Sequence, residues 1–414
     1  MVTSLKDATL TRESCDVPVS NGNRPKKRAV SRKVIIAAAL ILLVAAAAVQ
    51  HFYFSGQAPA ADAAMRMADT GVTVKYDLGS GAGFASFDSG NFFFCTKDGM
   101  KYMTSSGAQK WDSVFTLTAP VMVSQGGVAA VGEANGHAAY VFDSTGKLYE
   151  EHFDGAMLSF SVNKAGDLAV ILQNGTDGYL IEAFGPGLPT WQYHFVDANI
   201  YPVSADVSPD GRIVAIACAD VNYQLTTKVV FAYVNQADGQ SFTDMIFSEQ
   251  DIDGEMPASV RFMDGNRLLV FTDARICCYQ PQADSSVTQL WNMDLNNQIG
   301  AVGFYGGKSF AYACGAALLN HQNADPVGTV SFVALDGTTT GSYCVGKDVT
   351  SLTMGFDSAI AGTDREFYAI SKTGGLLWNY ASPQNAGQMI FLDNTNTVLL
   401  AADAGGDIMK RVKQ

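Results

Sequence analysis

From Gly71 onward, apolar and polar residues alternate in runs of five to eight, cut by Gly, Asp, Asn and Ser. Period two is the strand period, because successive side chains of a strand point to opposite faces. No stretch here keeps a 3.6-residue apolar period long enough for an amphipathic helix. One set of tight-turn sequences recurs eight times: Asp88-Ser89-Gly90-Asn91, Gln125-Gly126-Gly127, Lys164-Ala165-Gly166-Asp167, Ser208-Pro209-Asp210-Gly211, Met263-Asp264-Gly265-Asn266, Tyr305-Gly306-Gly307, Phe356-Asp357-Ser358 and Asp393-Asn394-Thr395-Asn396. Gly, Asn and Asp suit such turns because they adopt positive φ at low cost.

Between these turns stands a second phrase, whose fullest copy is Ser371-Lys372-Thr373-Gly374-Gly375-Leu376-Leu377-Trp378. It recurs as Ser105-Ser106-Gly107-Ala108-Gln109-Lys110-Trp111, as Gly185-Pro186-Gly187-Leu188-Pro189-Thr190-Trp191 and, more loosely, as Ser144-Thr145-Gly146-Lys147-Leu148-Tyr149. The two phrases alternate and divide the chain into four strands, A to D, about every 43 residues. A four-stranded repeat of that length marks a β-propeller blade. The expected blades are Phe84–Phe115, Ala119–Phe153, Met157–Phe195, Tyr201–Phe247, Ala258–Met293, Ala301–Val345 and Ser351–Tyr380. The last repeat has three strands, Gln388–Leu392, Thr397–Ala402 and Asp407–Val412. Its fourth is expected from the other end of the ring, as Val72–Asp77 with Tyr76 in the D-strand aromatic place. The predicted fold is therefore an all-β, eight-bladed β-propeller closed by an N-terminal strand. Seven blades is the alternative, because blade seven's second strand (Ile360 to Thr363) is weak. All four Trp (Trp111, Trp191, Trp291, Trp378) fall on D strands, where the gap between blades is widest and a large ring fills it.

The first 70 residues have another pattern. Residues 1–33 are polar and basic, without a hydrophobic period, and read as a disordered tail. Val34–Phe54 is apolar; its 21 residues span about 31 Å as a helix, against a hydrocarbon core of about 30 Å. Basic residues on one side only (Lys26, Lys27, Arg28, Arg32, Lys33) predict a cytoplasmic amino terminus, with the domain at 71–414 outside the cytoplasm. A signal peptide cleaved near Ala58-Pro59-Ala60 is the rival reading. Residues 55–70 are Ala-rich and read as a tether.

Charge sharpens this division. The whole chain carries −13, but residues 1–54 carry +5, leaving −18 on the rest. A domain that acidic repels phosphate backbones, which argues against nucleic-acid binding. The seven Cys form no Cys-x-x-Cys pair and no zinc-finger spacing, and most sit in strand-like runs as small hydrophobes.

Val141-Phe142-Asp143-Ser144-Thr145-Gly146-Lys147-Leu148 and Ile370–Trp378 resemble the repeat of quinoprotein-type propellers. Ser208-Pro209-Asp210-Gly211 resembles the A-to-B turn of WD-like propellers. The layout of basic tail, single anchor and divergent eight-bladed ring is similar to membrane-anchored propeller families of unknown function from Gram-positive anaerobes. It is also similar to the lipid-anchored scaffold propeller of outer-membrane assembly. The resemblance implies a propeller over about residues 72–412 and a non-catalytic scaffold that binds an envelope protein or a cell-wall glycan. The alternative is an envelope enzyme, a glycan hydrolase or lyase, acting at the central channel. Carboxylates, His or Arg converging on the channel mouth would favour the enzyme, and an apolar or loop-built patch the scaffold.

Individual candidates are few. The vicinal pair Cys277-Cys278 resembles one found beside the cofactor of quinoprotein alcohol dehydrogenases, but Arg275–Tyr279 reads as an ordinary C strand. Asp251, Asp253 and Glu255 alternate around Gly254, in the manner of a calcium loop, yet lack the full spacing and the distant bidentate Glu. The plainer reading of 249–255 is a solvated connection between blades four and five. His51, His137, His152, His194 and His321 have no partner at ligand spacing. No catalytic, cofactor-binding or metal-binding residue and no cofactor is assigned. The long B-to-C loops Ala219–Thr227 and Ala316–Gly328 belong to one face of the ring and are the expected partner site.

Overall fold

The computed structural model describes residues 65–74, 83–86, 90–175, 178–186, 188–239, 241–318, 324–383, 385–393, 396–402 and 405–413. The basic tail, the apolar run 34–54, Cys15, His51, Tyr76 and His321 lie outside them. Among the described residues no helix is long and apolar enough to cross a membrane.

The described strands form eight four-stranded antiparallel sheets. Seven follow chain order, A-B-C-D. In the eighth, Ala386–Phe391, Thr397–Ala402 and Gly405–Lys413 are completed on the outside by Met65–Val74. The ring is thus an eight-bladed propeller closed by its amino-terminal strand. That strand starts at Met65, inside the stretch expected as a tether, and its described part ends at Val74. The Ala-rich residues before it hid a strand in which Met67 and Val74 are buried on either side of a register shift between Asp69 and Val72. Blade seven's second strand, Ser358–Gly362, looked weak because it is short and rich in small residues. It is buried at every position, where small residues pack best.

The core is built between blades. Eight apolar clusters each join two neighbouring sheets, one per wall of the ring. Each Trp sits on its D strand and faces the next blade. Trp111 stacks on Phe142 of blade two, with centroids 5.8 Å apart, and donates Nε1–H to Ser144 O at 3.0 Å. Trp291 likewise donates to Leu335 O of blade six at 3.0 Å. Both acceptors lie in C-to-D turns of the next blade, so the turn phrase and the Trp are two halves of one wall contact. Gly337 shows why the turn needs Gly: its φ is 83°, and a Cβ there would lie 2.8 Å from the Trp291 ring.

Blade four departs from expectation. Its D strand is Ile246–Asp253, further along the chain than the D strand ending at Phe247 that was expected, because its C-to-D connection holds a one-turn helix (Gln236–Gly239) and a 3-10 turn (Thr243–Met245). Glu249–Asp253 is therefore strand, not a loop between blades. The alternating carboxylates follow the strand period: Glu249 and Asp251 both accept from Lys228 Nζ at 3.2 Å. Asp253 accepts from Thr226 Oγ1 at 3.3 Å, and Glu255 turns inward. The calcium candidates are spread over one strand face and a buried pocket, and among the described residues no metal-ligand cluster forms.

Within the ring, polar bonds tie the inner strands together. Asp206 of blade four accepts from Phe262 N–H of blade five at 2.7 Å. Two further bonds cross between blades two and five, which are not neighbours: Arg261 Nη2 donates to Ser124 O (3.1 Å) and Gln125 Nε2 to Phe262 O (3.3 Å). They span the channel between blades two and five.

The A-to-B turn of blade three gives a test by pH. Asp167 is buried against Gly185 and accepts from Asn163 Nδ2 at 2.8 Å. Burial pushes its carboxyl above the ordinary range, and the Asn163 amide opposes the rise. A raised carboxyl keeps its proton longer in the folded state than in the unfolded chain. Its contribution to stability therefore falls as pH rises from the unfolded value through the folded one. Asp167→Asn keeps an acceptor for Asn163 and removes the buried charge. Denaturant midpoints should place the variant above the native protein at about pH 8, with the advantage fading towards about pH 4, near the ordinary carboxylate value. An advantage of the same size at both pH values would contradict the assignment.

Candidate functional site on the loop face

Antiparallel connectivity puts B-to-C loops and inter-blade D-to-A loops on one face, and A-to-B and C-to-D turns on the other. Twelve large apolar residues are exposed among the described residues. Nine of them (all but Leu148, Leu290 and Phe356) sit at or near the loop face, so it is the apolar side of the molecule. Six come from blades three to five: Leu158, Val196, Tyr201, Val221, Tyr223 and Met256. Tyr223 is 102% exposed and Val196 80%, against the usual preference of such side chains for cover.

Local structure presents these side chains. Leu158 is the extra residue of a bulge between Met157 and Ser159, and a bulge re-aims its side chain out of the ladder. Bulges recur near the same end of strand A at Val203, Ala258 and Gly387. The loops bearing Val196, Val221 and Tyr223 are bonded to each other. Asn199 Nδ2 donates to Asn222 Oδ1 at 3.0 Å, Asn222 Nδ2 to Asp197 Oδ2 at 2.9 Å, and Val221 N–H to Asn199 O at 3.0 Å. Asn199 N–H and the Asn222 amide hold the Asp197 carboxyl below its ordinary range. Tyr201 is set edge-on to Tyr179 with centroids 6.1 Å apart.

Next to this patch Met256 is positioned by two carboxylates. Its N–H donates to Asp273 Oδ1 at 2.9 Å. Glu255, 4% exposed, lies 2.5 Å from Arg275 Nε through Oε1 and accepts from Thr272 Oγ1 at 2.6 Å through Oε2. The exposed carboxylates Asp154, Asp197, Asp253 and Asp273 rim the patch. The basic side chains of this sector are taken up, Arg275 by Glu255 and, at 3.9 Å, by Asp294, and Lys228 by Glu249 and Asp251. An ordered apolar patch with an acidic rim is chemically suited to a partner carrying apolar groups beside Lys or Arg.

Of the two long loops singled out in the sequence, 219–227 carries the patch. In the other, Val327 is exposed beside Asp325, which is held by Asn297 (2.9 Å). The contributions of Leu158, Val196 and Met256 had no sequence signal, since one exposed aliphatic in a β run looks like any other.

The remaining candidates disperse. Cys277 and Cys278 are adjacent on strand C of blade five (Arg275–Pro281) and point into different walls, one against blade four and the other against blade six. Burial pushes their thiols up to about 11 and about 12, so neither is a ready thiolate. His137 bonds Phe153 O at 3.1 Å, His152 meets Glu150 at 3.1 Å, and His194 is exposed on an outer strand. At the turn-face mouth of the channel the charged groups are Asp143, Lys164, Arg261, Lys308 and Asp393. The charged mouth expected of an enzyme and the apolar patch expected of a scaffold are thus both present, on opposite faces.

Residues 67–410 match DUF5711, a family of unknown function. The chain belongs to this family. The match begins on the closing strand and ends on the strand it pairs with, so the family unit is the closed ring. No curated protein matches the chain. Among solved structures it is similar to BamB from Moraxella catarrhalis (12% identity, TM-score 0.50, covering 83% of this chain and 100% of that one). It is also similar to the C-terminal WD40 domain of Sif2 (11%, 0.54, 82% and 99%) and to the computationally designed Ika8 protein (13%, 0.53, 83% and 100%). At these identities the likeness is one of fold.

Proposed function

We propose that this DUF5711 chain is a membrane-anchored, extracytoplasmic scaffold that binds a protein of the cell envelope through its loop face. The observation that carries the reading is the gathering of Leu158, Val196, Tyr201, Val221, Tyr223 and Met256, exposed and from three blades, inside an acidic rim. The apolar run Val34–Phe54 behind a basic tail supports the anchor and its orientation. The patch favours a protein over a neutral glycan, because hot spots of protein interfaces are apolar and aromatic. The enzyme reading draws on the charged channel mouth. It is weakened by the two mouth carboxylates, which cap their own turns: Asp143 accepts from Thr145 N–H and Oγ1, and Asp393 from Asn396 and Thr397.

A photo-crosslinking amino acid at position 223 or 196 in intact cells should capture one reproducible partner, and the same group at position 290 on the outer wall should not. Val221→Ser with Tyr223→Ser should abolish capture from position 196 while leaving the melting temperature unchanged, since both side chains are already exposed. Equal capture from all three positions would sink the proposal. Protease digestion of intact cells tests the topology: the ring should be accessible from outside.

A further inference from the structure

The chain enters the ring at the turn face. Met65 pairs with Lys413 and Val74 with Gly406, so the closing strand runs from the turn face to the loop face. Arg411 N–H donates to Asn396 O of blade eight's A-to-B turn at 2.7 Å, which sets Arg411 and the residues after it at the level of the turns. Four basic residues therefore stand around the entry: Arg66 next to Met65, and Lys410, Arg411 and Lys413 on the partner strand. Lys410 is exposed and Arg411 half-buried. The turns of blade seven continue this corner. Phe356 is 54% exposed there, and Lys372 lies over its ring at 5.6 Å while meeting Asp357. The corner's other carboxylate, Asp393, accepts from Asn396 and Thr397 of its own turn. The cationic character is local, since the turns of blades four and five expose Asp210, Asp244 and Asp284. The loop face has the opposite sign. Its D-to-A loops expose Asp154, Asp197, Asp253, Asp294 and Asp348, and their one exposed base, Lys347, is taken up by Glu366 at 2.6 Å.

We propose that the corner formed by blades seven and eight rests on a bilayer surface rich in anionic phospholipid, with the loop face directed away from the membrane. The inference rests on the membrane-anchored reading and adds to it a contact surface and a lipid class. A negative surface attracts the basic residues at the entry and repels the acidic loops. An exposed aromatic ring beside a Lys suits the boundary between headgroups and acyl chains. Chain length points the same way. The ten residues between Phe54 and Met65 reach at most about 33–36 Å when fully extended. The ten-residue closing strand is itself about 33 Å long. A ring standing on its loop face would lift Met65 by that height and stretch the connection to its limit. A ring standing on its turn face leaves it slack.

The test uses the full chain in nanodiscs of phosphatidylcholine, with or without phosphatidylglycerol, and a nitroxide carried on the lipid headgroup. In a Cys15→Ser, Cys344→Ser background, a fluorophore is attached through Thr373→Cys on the turn face or Tyr223→Cys on the loop face. Quenching at 373 should exceed that at 223 by about 3-fold or more, because the two faces lie a strand length apart, roughly 30 Å. Phosphatidylglycerol should widen the contrast, and raising salt from about 50 mM to about 500 mM should narrow it. Lys410→Gln with Lys413→Gln should return the contrast to its value in phosphatidylcholine alone. Lys410→Gln by itself, at an exposed side chain, reads part of the same loss if the double variant unfolds. Liposome flotation after an alkaline wash tests the anchor separately. A chain lost in the wash would remove the anchored reading and this proposal together. A chain that is retained, but is quenched equally at both positions or is indifferent to phosphatidylglycerol or to the Lys410 substitution, would overturn the proposal and leave the anchor standing.

Discussion

A chain that begins at residue 83 is expected to lose the closed, monomeric ring. Met65–Val74 is the outer strand of blade eight, paired with Gly405–Lys413 at eight positions. Its removal bares every outward backbone group of that partner, a ready edge for pairing with another chain. It also opens two walls. Met67 lies in the cluster with Trp378 of blade seven, and Val74 in the cluster with Phe84, Phe92 and Phe94 of blade one. Truncating a buried Met alone costs about 2–5 kcal/mol. Losing both side chains and the ladder together should remove much of the roughly 5–15 kcal/mol that holds a typical domain folded. Size-exclusion chromatography with light scattering should show aggregates or strand-exchanged oligomers. A synthetic peptide of residues 64–77 added during refolding should restore monomer. A truncated chain that stayed monomeric and melted with the native protein would contradict the role given to this strand.

Trp378→Ala should be, with Trp191→Ala at the equally buried Trp191, the most destabilising single substitution at a wall Trp. Trp378 is 3% exposed and packs with Met389, Val398 and Leu400 of blade eight and with Met67 of the closing strand. Removing it leaves a void that rigid sheets cannot collapse into, at a cost of about 3–5 kcal/mol. The half-buried Trp111 should cost less, since part of its ring already meets solvent. The check is a denaturant midpoint shift with an unchanged slope. Equal shifts for the two Trp would mean that ring burial does not set the cost.

The two cases also show what kind of information the sequence held. Trp378 was legible as wall packing because the phrase Thr373-Gly374-Gly375-Leu376-Leu377-Trp378 repeats, and repetition fixes register. The closing strand was legible as a need, a three-stranded last repeat wanting a fourth. Its start was read seven residues too late because Met65–Gly71 follows an Ala-rich stretch and holds no β-branched apolar residue to mark a strand. The acidic run 249–255 failed for a related reason: alternate carboxylates fit a cation loop and an outer strand equally well. Only the ladder with Thr226–Tyr233 shows which of the two it is.

The sequence by itself determined the repeat, the eight-bladed count, the turns and the Trp walls. All of these are set by interactions within one blade or with the next, over a few tens of residues. Tertiary structure decided the rest. Leu158 and Met256 share an apolar face only because the ring bends round and every blade delivers its loops to the same side. Arg261 meets Ser124, and Phe262 meets Gln125, across 137 positions only because the channel is narrow there. Residues brought together by ring closure, rather than by the repeat, leave no period behind them, and the loop-face patch is built from such residues.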